Sequence, residues 1–315
     1  MMGKVWLEKV RLKTAGLIFF ALLSGGCSSP KEITQETNSP PKKPRLSPIQ
    51  PKTIEVFNGK LTFIEMKIPL EDGVYDLSCL GVSPDSKENI VKMLVSEQNA
   101  QIYYVEDYYS EESQRTCFLT DKRIVLNVEI KQFPYKEERL RVAKSKVVLS
   151  LENQKRVEKE WLLTRDLYKT SAKSFLFNEP FRLPLYSKVT SDFGKRRVFN
   201  DLKKTSHLGT DFRAAVGVKI PSANSGRVVY TGNLFYTGNV VIIDHGMDIF
   251  SLYAHLSKIE VQAGEMVLKG QIIGRAGKTG RVSGPHLHWG VKIAGKAADG
   301  KSLVDASKQQ FGLPL

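Results

Sequence analysis

From residue 181 onward, short apolar runs alternate with glycines, and this pattern constrains the fold more than any other part of the sequence. The runs at 226–232, 239–244 and 271–274 are examples. Short runs closed by turn residues at close intervals predict antiparallel strands. The sequence shows neither a βαβ rhythm nor a GxGxxG motif. We therefore expect a mainly β protein whose C-terminal domain, residues 175–315, is built on an antiparallel β-sheet.

Residues 53–165 predict a smaller β-rich domain in front of it. The runs at 60–64 and 123–130 alternate in part between apolar and polar residues, and 146–151 is a further candidate strand. This region contains no histidine and no metal-ligand spacing. A binding, spacing or regulatory role is therefore expected for it rather than catalysis.

Two segments depart from this strand pattern. Within 85–98, the residues Ile90, Met93 and Leu94 follow helical spacing and indicate a helix. Residues 155–175 are charged, and they indicate a strand end or a short helix that leads to the next domain.

The N-terminus predicts a secretory signal rather than part of the fold. An apolar run at 15–23 follows the basic residues Lys4, Lys9, Arg11 and Lys13. A membrane-spanning helix needs ~20 apolar residues, so this shorter run fits the apolar region of a signal peptide.

Small residues at 24–26 stand directly before Cys27, and this arrangement resembles the lipobox of bacterial lipoproteins. The resemblance implies removal of residues 1–26 and a lipid anchor on Cys27. Such boxes usually have leucine where Ser24 stands, and a plain secretory signal cut nearby is the alternative. Ser28, rather than aspartate, after the cysteine implies an exported protein that is anchored to the outer membrane and faces the periplasm.

Residues 27–52 predict a Pro-rich tether between this anchor and the folded part. Six of the 14 prolines lie there, among Ser, Thr and Lys residues. Such a composition cannot bury a core and favours an extended chain. We therefore expect this segment to let the folded part extend away from the anchored Cys27.

Cys79 and Cys117 are the two cysteines that follow Cys27. In an exported protein two such residues can form one disulfide. Neither lies in a CxxC pair and no histidine is near them, so no zinc site is expected there. The sequence does not show whether the two are within reach of each other, and their pairing stays open at this point.

All five histidines lie between residues 207 and 288. In a strand, His207 and Asp211 have equal parity and would share one face, and the same holds for His286 and His288. Two such strands side by side would bring two histidines and a carboxylate to one ion. That set, with one position left open, is the pattern of a catalytic zinc site.

The other two histidines each follow an apolar run. His255 ends the run at 252–254, and an unligated histidine near a metal site can carry a proton or stabilise charge. His245 follows the run at 239–244, and we expect it either to be structural or to contact and orient one of the metal ligands. Asp244 beside it is expected to be a turn carboxylate rather than a group that orients a ligand.

These segments resemble the lysostaphin-type zinc endopeptidases, which cleave peptide cross-links in bacterial cell walls. The resemblance covers residues 181–300. It rests on five motifs in the family's order: VTSDFG at 189–194, HLGTD at 207–211, DHG at 244–246, YAHLS at 253–257 and GPHLH at 284–288. A single HxH motif is common, whereas five ordered motifs at these spacings are specific.

The resemblance implies a Zn²⁺ ion bound by His207, Asp211 and His288. It also implies that His286 and His255 are the catalytic histidines. His286 would be the general base toward a metal-activated water, and His255 would hold that water or the developing oxyanion, although these two roles are interchangeable. The implied substrate is the peptide stem of peptidoglycan.

Two arginines and two aromatic residues lie close to these motifs. Arg196 and Arg197 either contact anionic wall peptide or glycan, or form a solvated basic turn. Trp289 would face away from His288 in a strand, so we expect it in the core, whereas Tyr253 either lines the groove or fills the core.

Other functions compete with an endopeptidase. The alternative is a non-catalytic, wall-binding activator of another cell-wall hydrolase, and the intact set of ligands and histidines argues against it. A zinc protease that acts on a protein is a third candidate. The formal net charge of +14 favours anionic partners. The export signal argues against nucleic acid as that partner, and so does the lack of a nucleic-acid-binding motif of aromatic and basic residues. Regulation, by the 53–165 region covering the groove or by an unknown protein, is a further hypothesis.

Overall fold

The computed structural model describes residues 47–81, 88–140, 149–199 and 203–314. The predicted signal at 1–26, Cys27, most of the predicted tether and residues 146–148 of the candidate strand 146–151 lie outside the described residues. The rest of that candidate strand is not a strand, because residues 149–150 are irregular and Leu151 begins a helix. The described part is mainly β, with strands in three sheets and two helices. The predicted fold class is therefore confirmed.

The β-rich region in front of the C-terminal domain forms one seven-stranded sheet. Its strands are β1 (Lys52–Phe57), β2 (Leu61–Lys67), β3 (Gly73–Gly81), β4 (Asn89–Ser96), β5 (Asn99–Val105), β6 (Ser113–Phe118) and β7 (Ile124–Lys131). They lie in the order β1-β7-β6-β3-β4-β5-β2. The pair β1–β7 is parallel and the remaining pairs are antiparallel.

Strand β4 occupies the segment for which the sequence indicates a helix, so that prediction is wrong. Val91, Met93 and Val95 are buried, whereas Ile90 is exposed. This burial has the period of two that a strand requires. The helical spacing of Ile90, Met93 and Leu94 arose because apolar residues occupy both faces of the strand, which pairs with β3 and β5 on its two sides.

The C-terminal domain is built on a ten-stranded antiparallel sheet. Its strands are β9 (Val189–Ser191), β12 (Thr210–Arg213), β13 (Lys219–Pro221), β14 (Gly226–Leu234), β15 (Gly238–Asp244), β16 (Ile249–Ile259), β17 (Met266–Val267), β18 (Ile272–Ala276), β19 (His286–Ile293) and β20 (Lys296–Ala298). The main path is β17-β14-β15-β16-β19-β12-β9, with β18 also on β16 and β20 on β19. Phe212, Tyr253 and Trp289 are fully buried in its core.

A third, three-stranded sheet connects the two regions. It consists of β8 (Glu137–Leu140), β10 (Arg196–Phe199) and β11 (Lys203–Ser206) in the order β11-β10-β8. Strands β10 and β11 form an antiparallel hairpin, and β8 pairs with β10 in parallel. The hairpin that precedes His207 is therefore attached to the β-rich region.

The β-rich region also packs on the C-terminal domain. Leu61 and Tyr103 belong to the same hydrophobic cluster as Phe177 of the C-terminal part. Helix α2 (Gly300–Gln310) joins this contact, since the Leu61 N–H donates to Ser302 Oγ at 3.0 Å. The described residues belong to one compact unit, and the domain boundaries at 53–165 and 175–315 stay a prediction.

The charged segment before the C-terminal domain is a helix, α1 (Leu151–Leu167). Its first turn is capped by the Ser150 side chain, which accepts a hydrogen bond from the Asn153 N–H. None of its residues is buried, and Trp161 is exposed. Among the described residues, neither helix combines the length and the apolar character that crossing a bilayer requires.

Cys79 in β3 lies directly opposite Cys117 in β6, and the two are joined by a disulfide. Both side chains are fully buried. The bond closes a loop with a sequence separation of 38 residues within the seven-stranded sheet.

We expect replacement of both Cys79 and Cys117 by alanine to lower the free energy of unfolding by about 3–4 kcal/mol, because a cross-link over a loop of this length restricts the unfolded chain by that amount. Denaturant unfolding of the oxidised chain and of the double variant, both with Cys27 replaced, measures the difference. Identical unfolding midpoints would contradict a stabilising role for the disulfide.

Candidate metal centre and the histidines beside it

Strands β12 and β19 build the centre of the site. They pair in antiparallel register, with Asp211 directly opposite His288. His207 lies just before β12, in an irregular stretch and not in the strand. The strand-parity argument for His207 and Asp211 is therefore wrong, and the bend at Gly209 brings the two side chains together instead. His286 and His288 both lie in β19, as their spacing predicts.

The ligating atoms of the three predicted metal ligands converge. His207 Nε2 lies 2.9 Å from Asp211 Oδ1 and 3.1 Å from His288 Nδ1, and His288 Nδ1 lies 2.8 Å from Asp211 Oδ1. Ligand atoms around one tetrahedral zinc ion are about 3.3 Å apart, so this spacing suits a single ion. Two imidazole nitrogens and one carboxylate oxygen also form a donor set that zinc prefers.

Groups behind His207 and Asp211 fix their orientation. His207 Nδ1 donates to the Asp192 carbonyl at 2.9 Å and lies 3.3 Å from Ser191 Oγ, which leaves Nε2 for a metal. Arg197 Nη2 donates to Ser191 Oγ at 2.7 Å and lies 3.5 Å from Asp211 Oδ2. The two carboxylate oxygens of Asp211 therefore have different surroundings, because Oδ1 faces the histidines and Oδ2 faces Arg197.

The protonation states of the site suit a cation. Burial opposes ionisation of Asp211, but the imidazoles of His207 and His288 next to its carboxylate outweigh it and hold the pKa of Asp211 far below its usual range. Burial lowers the pKa of His288, and the contact with Asp211 offsets this only in part. At neutral pH the site thus presents an ionised carboxylate beside a neutral imidazole, as metal binding requires.

His255 and His286 lie side by side at this centre, with their ring centroids 4.8 Å apart. His255 Nδ1 donates to the Thr279 carbonyl and His286 Nδ1 donates to the Gly284 carbonyl, both at 2.9 Å. Since each Nδ1 carries the proton, each Nε2 is free to accept one. His286 Nε2 lies 3.7 Å from Asp211 Oδ1, next to the ligating atoms.

A β-bulge brings His255 to this position. Ala254 and His255 of β16 lie opposite the single residue Val240 of β15. His255 has a φ of 61°, in the left-handed region, and its N–H donates to the Thr237 carbonyl at 2.8 Å. A bulge changes the direction of a side chain, and such a backbone conformation in a non-glycine residue is typical of functional sites.

Burial, together with the neighbouring charges of His288 and His286, lowers the pKa of His255 to about 3. His255 is therefore neutral at neutral pH and is a weak proton acceptor. Burial likewise lowers the pKa of His245 to about 4. The ring of His245 lies 2.7 Å from both the Ser225 carbonyl and Ser251 Oγ, so both of its nitrogens are used within the core.

Asp244 and the two aromatic residues near the motifs serve the fold. The Asp244 carboxylate accepts hydrogen bonds from the N–H groups of Ala172 and Gly246, each at 2.9 Å, and so closes a turn. Tyr253 and Trp289 are both fully buried, so neither lines the groove.

The sequence did not reveal the groups that orient these side chains. The carbonyls of Asp192, Thr279 and Gly284 carry no residue-specific signal, because every residue has a carbonyl. Arg197 had a weak signal, since it follows the VTSDFG motif that also contains Ser191, but the sequence did not link it to Asp211.

Gly209 leaves room for the ligand His288. A Cβ at this position would lie 2.6 Å from His288 Nε2 and 2.9 Å from the Trp289 carbonyl oxygen. We expect Gly209→Ala to displace the His288 ring and to weaken zinc binding by about 10- to 100-fold, the range seen for groups that support a ligand. Competition with a chromophoric chelator measures this affinity. Gly284→Ala is the matched control, because a Cβ there meets no atom within 4 Å, and equal affinities for the two variants would refute the steric argument.

Comparison with protein families identifies the part of the chain that holds this site. Residues 205–300 match Peptidase family M23. This part of the chain is a peptidase family M23 domain, and it contains all five histidines. The resemblance to the lysostaphin-type enzymes is thereby confirmed.

Curated relatives also match part of the chain. The chain is 43% identical over 118 residues to Peptidoglycan DD-endopeptidase ShyA of Vibrio cholerae, which covers 36% of this chain and 27% of the relative. It is 35% identical over 122 residues to DD-carboxypeptidase/endopeptidase Mpg of Neisseria meningitidis, which covers 38% of this chain and 28% of that protein. The chain thus spans less than a third of the length of these relatives.

A solved structure has a similar fold over a larger part of the chain than residues 205–300. A peptidase M23 crystal structure from Pseudomonas aeruginosa superposes with a TM-score of 0.58 at 22% identity, and the match covers 79% of this chain and 95% of that chain. At this identity the likeness concerns the fold alone. Its coverage exceeds the M23 domain, so the shared architecture includes part of the β-rich region.

Proposed function

We propose that this protein is a zinc-dependent endopeptidase that hydrolyses peptide cross-links of bacterial peptidoglycan. The observation that carries the proposal is the convergence of His207 Nε2, Asp211 Oδ1 and His288 Nδ1 at 2.8–3.1 Å, with His255 and His286 beside them. The names of relatives such as Peptidoglycan DD-endopeptidase ShyA support the choice of substrate.

His207, Asp211 and His288 would hold the ion. A zinc ion so bound polarises a carbonyl and makes water a stronger nucleophile at neutral pH. The chain's own residues then handle the protons. His286 Nε2 accepts the proton of the attacking water, because its Nδ1–H is engaged by Gly284 and its Nε2 faces the ligating atoms.

His255 supports the same step in a different way. Its low pKa makes it a poor base, so its Nε2 orients the attacking water by accepting a hydrogen bond. After proton transfer, the protonated His286 can donate to the leaving amine. Of the two interchangeable arrangements expected from the sequence, we therefore propose the one with His286 as base and His255 as the positioning group.

The alternative function is a wall-binding activator without activity of its own. The retention of all three ligating side chains and of both histidines in one site speaks for the enzyme. We also propose that the protein is exported and anchored to the outer membrane through Cys27, a proposal that rests on the sequence of residues 1–28 alone.

Purified wall sacculi test the activity directly. The chain without residues 1–27 is incubated with sacculi, with and without a chelator, and the products are separated by HPLC. We expect loss of cross-linked muropeptides only in the sample without chelator. Unchanged muropeptides in both samples would favour the non-catalytic alternative, and hydrolysis that the chelator does not affect would exclude a metal-dependent mechanism.

A further inference from the structure

An open cleft lies beside the metal centre, between the β-rich region and the β10–β11 hairpin. Its lining includes Tyr108, Tyr109 and Glu111 of the β-rich region, Glu137 of β8, and Arg196 and Lys204 of the hairpin, which forms one wall. We propose that this cleft is a substrate subsite that binds a free carboxylate of the peptide stem next to the scissile bond. The identity of the substrate rests on the proposed function.

The floor of the cleft is attached to a metal ligand. Tyr108 is buried, and its hydroxyl donates to the Gly194 carbonyl at 2.8 Å. The Gly194 N–H in turn donates to the His207 carbonyl at 2.7 Å. A Cβ at Gly194, which has a φ of 81°, would overlap the ring of Tyr135. These close contacts fix the position of Tyr108 in the cleft relative to His207.

The hairpin wall is attached to the same centre. Strand β10 is held by its parallel pairing with β8, in which Arg196 lies opposite Glu137. Successive side chains of a strand point to opposite faces. Arg197 reaches Ser191 and Asp211 on one face, so Arg196 lies on the other. One strand thus serves both the metal centre and the cleft.

The charges that line the cleft select the ligand. Arg196 and Lys204 are exposed, and within the described residues neither side chain forms an ion pair. Glu111 and Glu137 are also exposed, and Glu137 of β8 lies beside Arg196 in the sheet and 3.5 Å from Arg139. A single carboxylate is attracted to Arg196 and Lys204, whereas Glu111 and Glu137 repel any further negative charge.

The remaining lining favours a peptide over a polyanion. A phosphate-rich chain running through the cleft would meet Glu111 and Glu137. The exposed ring of Tyr109, whose centroid is 4.9 Å from that of Tyr108, offers an apolar surface for aliphatic parts of a peptide. A peptide with aliphatic side chains and a free C-terminal carboxylate supplies both kinds of contact.

The test uses two probes: muropeptide dimers released from sacculi, and the same dimers with their carboxylates converted to amides. Binding to the chelator-treated full chain is measured by titration calorimetry, and cleavage by the zinc-loaded full chain is measured as kcat/KM. We expect the unmodified dimer to bind about five- to tenfold more tightly than the amide, as one or two partly exposed charge-assisted hydrogen bonds would provide.

A double variant assigns the preference to the cleft. Arg196→Ala with Lys204→Ala is expected to bind both dimers as weakly as the unmodified chain binds the amide. Arg227→Ala, which removes an exposed arginine on β14, is the matched control and is expected to keep the preference. Thermal unfolding shows whether the variants are folded.

Three outcomes would overturn the subsite: equal affinity of the unmodified chain for the two dimers, no binding of either, or equal weakening of both dimers by the double variant. Failure of the proposed function looks different. In that case neither dimer is cleaved, whereas the binding preference and its loss in the double variant are still observed.

Discussion

His288→Ala is expected to leave the protein without bound zinc and without measurable hydrolysis of sacculi. His288 Nδ1 lies 2.8 Å from Asp211 Oδ1 and 3.1 Å from His207 Nε2, and its removal leaves two protein ligands where a catalytic zinc site uses three. We expect zinc affinity to fall by more than about 100-fold, beyond the effect of losing a supporting group. Hydrolysis should fall by about 10³-fold or more, since several kcal/mol of transition-state stabilisation depend on the ion.

Zinc content after gel filtration and muropeptide release are both measured on the same sample. Asp192→Ala is the matched control. Its side chain pairs with Lys301 at 2.6 Å, whereas His207 uses only its main-chain carbonyl, so this variant should keep its zinc. Full zinc occupancy in His288→Ala would refute the ligand assignment, and equal zinc loss in Asp192→Ala would show that the loss does not report on ligation.

His286→Ala is expected to keep its zinc and to lose most of its activity. His286 is not among the three converging ligands, but its Nε2 lies 3.7 Å from Asp211 Oδ1 and is free to accept a proton. Loss of a general base typically costs 10²- to 10⁴-fold in rate, and we expect kcat to fall within about that range. Titration of bound zinc and single-turnover cleavage of a purified muropeptide dimer separate the two properties.

His255→Ala distinguishes loss of a positioning group from loss of the base. This variant should also retain zinc, and its kcat should fall less than that of His286→Ala. A variant of either histidine that cleaves as fast as the unmodified chain would remove that histidine from the mechanism. Loss of zinc from His286→Ala would make it a ligand instead.

The predicted ligands came from motif spacing and from the resemblance to the lysostaphin-type enzymes. The sequence offered the pairing of two strands only as a possibility, and in the structure Asp211 and His288 do lie opposite each other on neighbouring strands. His286 and His288 lie in one strand, as their spacing predicts. His207 was assigned correctly to the converging group for a wrong reason. It lies outside the strand, and the bend at Gly209, which packs against the His288 ring, brings it to the others.

The rest of the site depends on long-range contacts that leave little trace in the sequence. The bulge at His255 arises from the register between β15 and β16, which single-strand patterns do not encode. The parallel pairing of β8 with β10 joins segments that are almost 60 residues apart, counted from Glu137 to Arg196. For strand β4, by contrast, a local pattern was present but predicted the wrong element. Apolar residues on both faces of the strand gave the spacing of a helix.

The most direct test of the central claim is removal and restoration of zinc. The chelated chain is titrated with zinc while the release of uncross-linked muropeptides from sacculi is followed by mass spectrometry. We predict that activity returns in proportion to added zinc, reaches its maximum at one ion per chain, and produces monomers in which one peptide bond has been hydrolysed. Full activity before zinc is added, or no activity once one ion per chain is bound, would contradict a zinc-dependent endopeptidase.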